Sequence, residues 1–335
     1  MIAEAAGLPQ TLPATAAPDR ASLLRAGSIL RVARYRFTFR MQDELRLPEY
    51  SGSLLRGNFG AALRRTACVT GERECAPCPL YRTCPYPAIF ETPAPETHSL
   101  QRFSQVPNPY VIEPPALGTR YVPAGEIFSF AVVLVGRALD QLPLIVYALQ
   151  RAFGSGIGRL RARGSLEDIA LEGADGVESV WDAERSSLGT HEQNLLVPFL
   201  PDVDAVTLNI VTPLRLQNQG HRVPVDRLHP RTLFAALLRR TSLLFELHAA
   251  LPELAGDARR LTAVAAKLVD KRRLQWKDWT RFSSRQDQEM TLGGVIGEWT
   301  LSGDLEELLP WFWLGQWLHV GKNATMGMGK YSLTW

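Results

Sequence analysis

Apolar and polar positions alternate in some segments of the chain and recur every three to four residues in others, which predicts strands and helices in turn. In segment 28–42, Phe37, Phe39 and Met41 are separated by polar or basic residues, as in a half-buried strand. In segment 50–67, Leu55, Phe59 and Leu63 recur at helical spacing. By these patterns we predict strands over 28–42, 126–137, 204–212, 274–286, 290–302 and 330–335, a further strand that ends near Glu172, and helices over 50–67, 142–153, 230–251, 257–272 and 304–318.

The predicted elements have the same order in both halves of the chain. Each half follows a β-α-β-β-α-β order, which is the ferredoxin-like plan. The same 123 residues separate Tyr35 from Gly158 and Val206 from Gly329, which favours duplication of one architecture. We therefore predict an α+β fold with a flexible tail over 1–27, a first domain over 28–173, a linker over 174–202 and a second domain over 203–335. The Pro-rich segment 85–123 predicts neither a regular central strand nor a helix.

Composition places the chain among ordinary globular proteins. Of its 335 residues, 46% are apolar and 21% are charged, and the net charge of +3 alone does not indicate nucleic-acid binding. Basic clusters are mostly arginine, the preferred residue for phosphate, as in segment 31–36. No apolar run is long enough for a membrane span, and we find no secretion signal. We expect a cytoplasmic protein without a membrane partner, with reduced cysteines.

All four cysteines lie within seventeen residues. Cys68, Cys75, Cys78 and Cys84 form a C-x6-C-x2-C-x5-C run in a segment, 68–90, that we interpret as an insertion in the first domain. Four crowded thiols in a reducing compartment suit a tetrahedral metal site, and zinc in a structural role is the first expectation, since four thiolates leave no open position for catalysis. An iron–sulfur cluster and reduced thiols on a loop are the alternatives.

Two glycine-rich segments follow predicted helices and lead into basic residues. They are 153–160, the first glycine loop, and 319–330, the second glycine loop. Glycine lets a backbone approach a ligand closely, and free N–H groups suit phosphate. Such turns are more often purely structural, and neither loop has the order of a Walker-type nucleotide site.

Three stretches resemble the CRISPR-associated repeat-processing endoribonucleases of the RAMP superfamily, the sixth Cas family, in its branch with a cysteine-bearing insertion. The first is YSGSLLRGNFG at 50–60, and the second is CAPCPL at 75–80 with CPY at 84–86. The third runs from WTRFSSRQ at 279–286 and LGG at 292–294 to HVGK at 319–322 and MGMG at 326–329. Together these stretches span most of the chain, from about Arg34 to Trp335.

The resemblance implies two tandem ferredoxin-like (RRM-like, RAMP) domains that bind the repeat hairpin of a precursor CRISPR RNA. It implies one cut without a catalytic metal, in which the 2′-hydroxyl of the RNA attacks the adjacent phosphate and leaves a 2′,3′-cyclic phosphate. The protein must then supply a base, an acid and cations for the charged transition state.

The candidate catalytic residues are His319, Tyr50 and Lys322. Many members of the family carry a histidine near the first helix, but this chain has none between Met41 and Ala67. His319 is the first choice as acid or base, weighed against a role in holding the loop by a backbone hydrogen bond. Lys322 is the better candidate for a phosphate contact. The candidate RNA-binding residues, which flank the motifs and the glycine loops, are Arg56, Arg159, Arg281, Arg285, Gly327, Gly329 and Lys330.

Two other functions are compatible with the same residues. A non-catalytic RNA-binding subunit of a CRISPR effector complex, with other Cas subunits as partners, would share the fold and would explain the missing histidine. A zinc-stabilised protein-interaction module is the third hypothesis.

Overall fold

The chain folds into two antiparallel sheets that each pack one face against helices. The structure is a computed structural model that describes residues 24–95, 106–118, 121–174, 176–218, 220–251, 254, 257–283 and 288–335, without the side chains of 280–283 and 288–291. Within these residues, no helix is both long enough and apolar enough to cross a membrane.

The N-terminal sheet has five strands in the order β2-β3-β1-β4-β5. Its first four strands have the ferredoxin-like arrangement, with two helices in the first crossover and one in the second. The elements are β1 (Val32–Met41), α1 (Gly52–Ala67), α2 (Pro85–Phe90), β2 (Tyr110–Glu113), β3 (Ile127–Val135), α3 (Leu142–Ser155), β4 (Gly164–Glu172) and β5 (Val177–Ser179).

The C-terminal sheet has four strands in the order β7-β8-β6-β9, which is the same arrangement. The elements are β6 (Ala205–Leu214), α4 (Pro230–His248), α5 (Ala258–Ala265), β7 (Val269–Ser283), β8 (Gln288–Ser302), α6 (Leu309–Leu318) and β9 (Tyr331–Thr334). Two-residue strands pair as Ile29–Leu30 with Leu195–Leu196, Leu45–Arg46 with Tyr121–Val122, Trp181–Asp182 with Ser187–Leu188, and Gln217–Asn218 with His221–Arg222.

The predicted α+β fold with two ferredoxin-like sheets is confirmed, because alternation in the sequence matches burial in the structure. Along β1, Tyr35, Phe37 and Phe39 are fully buried against α1 and α3, whereas Arg36 and Arg40 are exposed. Each sheet thus has one apolar face, which buries its side chains under the helices and stabilises the domain.

Two predictions about individual elements are wrong. The Pro-rich segment does contain a helix, α2, because Pro85 stands in the first turn, where the missing N–H is not needed, whereas the strand β2 in the same segment lies at the edge of the sheet and not at its centre. The helix predicted over 257–272 ends at Ala265, because the chain from Val269 onward pairs with β8 as an edge strand. Tertiary pairing therefore overrides the local helical pattern.

The hairpin of β7 and β8 is longer than the sheet to which it belongs. β8 pairs with β6 only as far as Val295, and beyond it residues 277–283 and 288–294, which we call the arm, pair with each other as β7 and β8. The arm reaches the N-terminal half, where the Trp279 ring stacks on Tyr50 with 4.7 Å between centroids and Lys277 pairs with Glu49 at 3.1 Å. The arm therefore links the two halves.

Candidate functional site at the interdomain junction

The second glycine loop, between α6 and β9, lies between the two halves of the chain. It contacts the start of α1 and the end of β2, and we call this region the junction. The loop turns sharply, since His319 and Asn323 have φ values of +59° and +63°. Its backbone is tied to β6 and the residue that follows it, because Gly329 N–H donates to Pro213 O at 2.9 Å and Lys322 N–H donates to Arg215 O at 2.9 Å.

The glycines of the loop are required by close contacts within the protein. A Cβ atom at Gly327 would lie 2.6 Å from Ile112 O, and one at Gly329 would lie 1.8 Å from Val320 O. A glycine on the other side of the junction is required for the same reason, since a Cβ atom at Gly52 of α1 would lie 1.9 Å from Met326 O. The close approach predicted from the sequence is present, but its partner in the structure is protein backbone.

Tyr50 is part of the junction. Its side chain is buried, its hydroxyl donates a hydrogen bond to Met326 O, and its ring stacks on Trp279. Burial raises the pKa of the Tyr50 phenol, which keeps it protonated as a hydrogen-bond donor. In this geometry Tyr50 holds the loop and is only 6% exposed to solvent.

His319 is fully buried at the head of the loop. Its Nε2 lies 2.9 Å from Glu113 Oε1, and its Nδ1 lies 3.2 Å from Met328 O. Burial lowers the pKa of His319, and both ring nitrogens face acceptor oxygens, so the neutral ring donates its one N–H to Glu113 or to Met328 O. The geometry matches the second of the two roles weighed for His319, which is to hold the loop.

Glu113, which was not selected from the sequence, is the centre of a buried charge cluster. Its carboxylate is 3% exposed and also accepts hydrogen bonds from Arg34 Nη2 at 3.0 Å and Lys330 Nζ at 2.7 Å. Burial alone would raise the pKa of Glu113, but the His319 hydrogen bond and the charges around it hold this pKa well below its usual range. One carboxylate of the N-terminal half thus binds two side chains of the C-terminal loop.

Arginines from both halves also cap α6. Arg34 Nη2 donates to Gln316 O at 3.2 Å, and Arg240 Nε donates to Leu318 O at 3.0 Å. Cations at a helix C-terminus satisfy its last carbonyl groups and interact favourably with the helix dipole. These contacts fix the helix that leads into the second glycine loop.

The predicted RNA-binding residues fall into different environments. Arg56 is half-buried, with its guanidinium 4.2 Å above the Phe90 ring, and Lys330 is paired with Glu113. Arg159 is exposed in the first glycine loop. Of Arg281 the structure describes only the backbone, in β7, and Arg285 lies outside the described residues.

The exposed face of the N-terminal sheet is not an aromatic platform. The aromatic residues of β1 point into the core, and on the opposite face Arg36 and Arg40 form ion pairs with Glu172 and Glu167. RRM-type recognition depends on exposed aromatic side chains that stack bases. This sheet face therefore lacks the chemistry of that binding mode.

The four cysteines line one cavity of about 200 Å³. None forms a disulfide, and the Thr70 hydroxyl contacts both Cys68 Sγ at 3.8 Å and Cys78 Sγ at 3.5 Å. The donor set fits structural zinc. However, across the described part of the chain no group of three or more His, Cys, Asp or Glu side chains is arranged to hold a metal ion. The zinc site stays a prediction.

Two protein-family models match separate segments of the chain. Residues 208–331 match the family model of CRISPR-associated endoribonuclease Cas6. Residues 30–193 match a separate family model described as an N-terminal domain. No significant match was found among curated proteins.

Solved structures share the fold at low sequence identity. A Cas6 product complex matches with a TM-score of 0.56 and 16% sequence identity, and the match covers 90% of this chain and 99% of that chain. Cas6 of Thermus thermophilus matches with a TM-score of 0.50 and 16% sequence identity, and the match covers 92% of this chain and 99% of that chain. A partial Cas6-RT-Cas1–Cas2 complex matches with 0.53 and 16% over 93% of this chain. The chain spans 47% of the matched chain in that partial complex and 29% in the Cas6-RT-Cas1–Cas2 complex. Residues 208–331 are thus similar to the Cas6 family model, and the resemblance to the CRISPR repeat-processing endoribonucleases seen in the sequence is confirmed.

Proposed function

We propose that the chain is an endoribonuclease that processes precursor CRISPR RNA by a single cut within the repeat. The observation that carries this proposal is the match of residues 208–331 to the Cas6 family model. The matched region includes the arm, the second glycine loop, the strands β7 and β8 in full and most of β6. The two ferredoxin-like sheets, which the Cas6 product complex shares as a fold, support it.

In the proposed reaction the RNA supplies its own nucleophile. The 2′-oxygen attacks the adjacent phosphorus and the bond to the 5′-oxygen breaks, which gives a 2′,3′-cyclic phosphate and a 5′-hydroxyl. The 2′-hydroxyl loses a proton to a base and the leaving oxygen gains one from an acid, so the reaction needs no metal. Cations close to the phosphate stabilise the charge that develops in the transition state.

The structure suggests how the candidate residues divide this work. Lys322 and Lys330 are the half-exposed cations of the second glycine loop, and we assign them to the phosphate. His319 and Tyr50 shape the loop from inside the junction. Proton transfer by His319 would require RNA to open the junction. If it does, His319→Ala should reduce cleavage by orders of magnitude while RNA affinity stays within a few-fold.

A cleavage assay on the cognate repeat RNA tests the proposal. A single cut within the repeat is the expected result. Tight binding of the repeat with no cut would instead identify a non-catalytic RNA-binding subunit of a CRISPR effector complex. The burial of both His319 and Tyr50 is the observation that favours this second candidate.

We also propose that the cysteine insertion holds one structural zinc ion through Cys68, Cys75, Cys78 and Cys84. The backbone N–H of Gly71, followed by the Thr70 hydroxyl, lowers the pKa of the Cys68 thiol and so favours the thiolate that zinc binds. Elemental analysis of protein prepared without chelator should find about one zinc per chain. A chain with no metal after anaerobic preparation would leave reduced thiols as the correct description.

A further inference from the structure

An indole ring lies flat at the base of the arm. Trp276 is opposite Val295 on the β7–β8 hairpin, at the point where pairing with β6 ends. A Cβ atom at Gly293 would lie 2.6 Å from Cζ2 of this ring, so glycine leaves the space in which the indole lies. The ring N–H donates to Asp278 Oδ1 at 2.7 Å, which fixes the orientation of the ring.

A guanidinium from a different element covers the indole. Arg222, in the two-residue strand His221–Arg222, places its Cζ 4.6 Å from the centroid of the Trp276 ring. This distance is within the range of a cation–π interaction. Arg222 is exposed, and in the described part of the chain no carboxylate forms an ion pair with it.

The segment that carries Arg222 is anchored to the sheet. Arg272 of β7 donates hydrogen bonds from Nη1 to Leu228 O at 2.9 Å and to Val225 O at 3.3 Å, just beyond the short hairpin. At the other end, Val223 N–H donates to Leu216 O at 3.0 Å. The guanidinium is therefore held over the ring by a fixed backbone as well as by its own attraction to the indole.

We propose that Arg222 and Trp276 form a stacking site for an unpaired base of single-stranded RNA. This inference rests on the proposed function, because it names a contact that the RNA makes. A guanidinium stacked on a ring offers its flat outer face to a third planar group, and bases stack on both aromatic and arginine planes. Every base has such a face, so the site tolerates any sequence.

An exposed arginine could instead bind a phosphate of the RNA, and phosphate binding depends on other properties of the side chain than base stacking does. Phosphate binding uses charge and the N–H edge of the guanidinium, so lysine retains much of it. Stacking uses the plane, which lysine lacks. Arg222→Lys therefore separates the two, and its exposed position leaves the fold intact.

The experiment compares two labelled oligonucleotides of equal length and charge. One is oligouridine, and the other is an abasic ribose-phosphate chain. For Arg222→Lys we expect roughly tenfold weaker binding of oligouridine and unchanged binding of the abasic chain, as for one lost stacked base. Trp276→Leu should act in the same way. The control is Arg151→Lys on α3, where Arg151 lies 5.9 Å from the Tyr147 ring in another exposed pair, and both affinities should equal wild type.

Three results would overturn the inference, and they are distinguishable. Equal loss on both oligonucleotides in Arg222→Lys would make Arg222 a phosphate contact. If Arg222→Lys bound both oligonucleotides with wild-type affinity, Arg222 and Trp276 would not contact RNA. If the wild-type chain bound neither oligonucleotide nor the cognate repeat, the proposed function would fail and this inference with it.

Discussion

The Nε2 atom of His319 lies 2.9 Å from Oε1 of Glu113, and this contact joins residues 206 positions apart in opposite halves of the chain. The same carboxylate holds Arg34 and Lys330. A loop whose composition suggests a ligand-binding turn is thus held from inside by a buried acid. The junction is consequently closed by contacts within the protein rather than an open loop.

Glu113→Gln should destabilise the chain strongly. The variant leaves the largely buried Arg34 without its counter-charge, and breaking a buried pair from one side costs about 3–5 kcal/mol. The free energy of unfolding, measured in urea, checks this. Glu167→Gln is the matched control, because the pair of Glu167 with Arg40 is largely exposed and should contribute less than about 1 kcal/mol. Equal effects of the two variants would show that the cluster does not hold the halves together.

Two glycine-to-alanine changes in α1 should have opposite signs. Gly52→Ala places a methyl group 1.9 Å from Met326 O and should lower the free energy of unfolding by about 2 kcal/mol or more. Gly57→Ala meets no atom within 4 Å and should raise it by roughly 0.5–1 kcal/mol, because alanine favours the helix. Thermal unfolding of both variants measures the difference. A stabilising Gly52→Ala would contradict the close contact across the junction.

Stability should fall as the pH drops from 6.5 towards 4. His248 is buried, its Nε2–H donates to Pro107 O at 2.9 Å, and burial lowers its pKa to about 4. Burial lowers the pKa of His319 as well. In this window the unfolded chain binds a proton at His248 that the folded chain excludes, so His248 removes up to about 1.4 kcal/mol of stability per pH unit.

Urea unfolding at several pH values measures this slope. His248→Gln keeps an N–H donor for Pro107 O and should flatten the slope. A wild-type stability that does not change between pH 6.5 and 4 would contradict the burial of both rings.

The sequence predicts most of the secondary structure because alternation and helical spacing coincide with burial. It fails where the partner of an element decides its conformation. The segment from Val269 pairs with β8, and only that pairing makes it a strand instead of the end of a helix. The strand Tyr110–Glu113 is only four residues long and is hidden among prolines.

The sequence also predicts only part of the candidate site, because the partners of its residues decide what those residues do. Glycine spacing indicates a close approach at Gly327 and Gly329, but it does not distinguish RNA from the protein backbone that the structure shows there. Glu113 lies in the Pro-rich segment, where neither a regular central strand nor a helix was expected, and its partners are defined only once the two halves meet. The histidine and the lysine of the cluster could be selected from the loop, whereas their carboxylate partner could not.

The most direct test of the account is cleavage of the cognate repeat RNA in EDTA, with a matched substrate that has a 2′-deoxynucleotide at the cut. The account predicts one cut in the ribose substrate, a 2′,3′-cyclic phosphate and a 5′-hydroxyl at the new ends, and no cut at the deoxy position. Binding without cleavage, or cleavage that requires a metal and proceeds at the deoxy position, would contradict it.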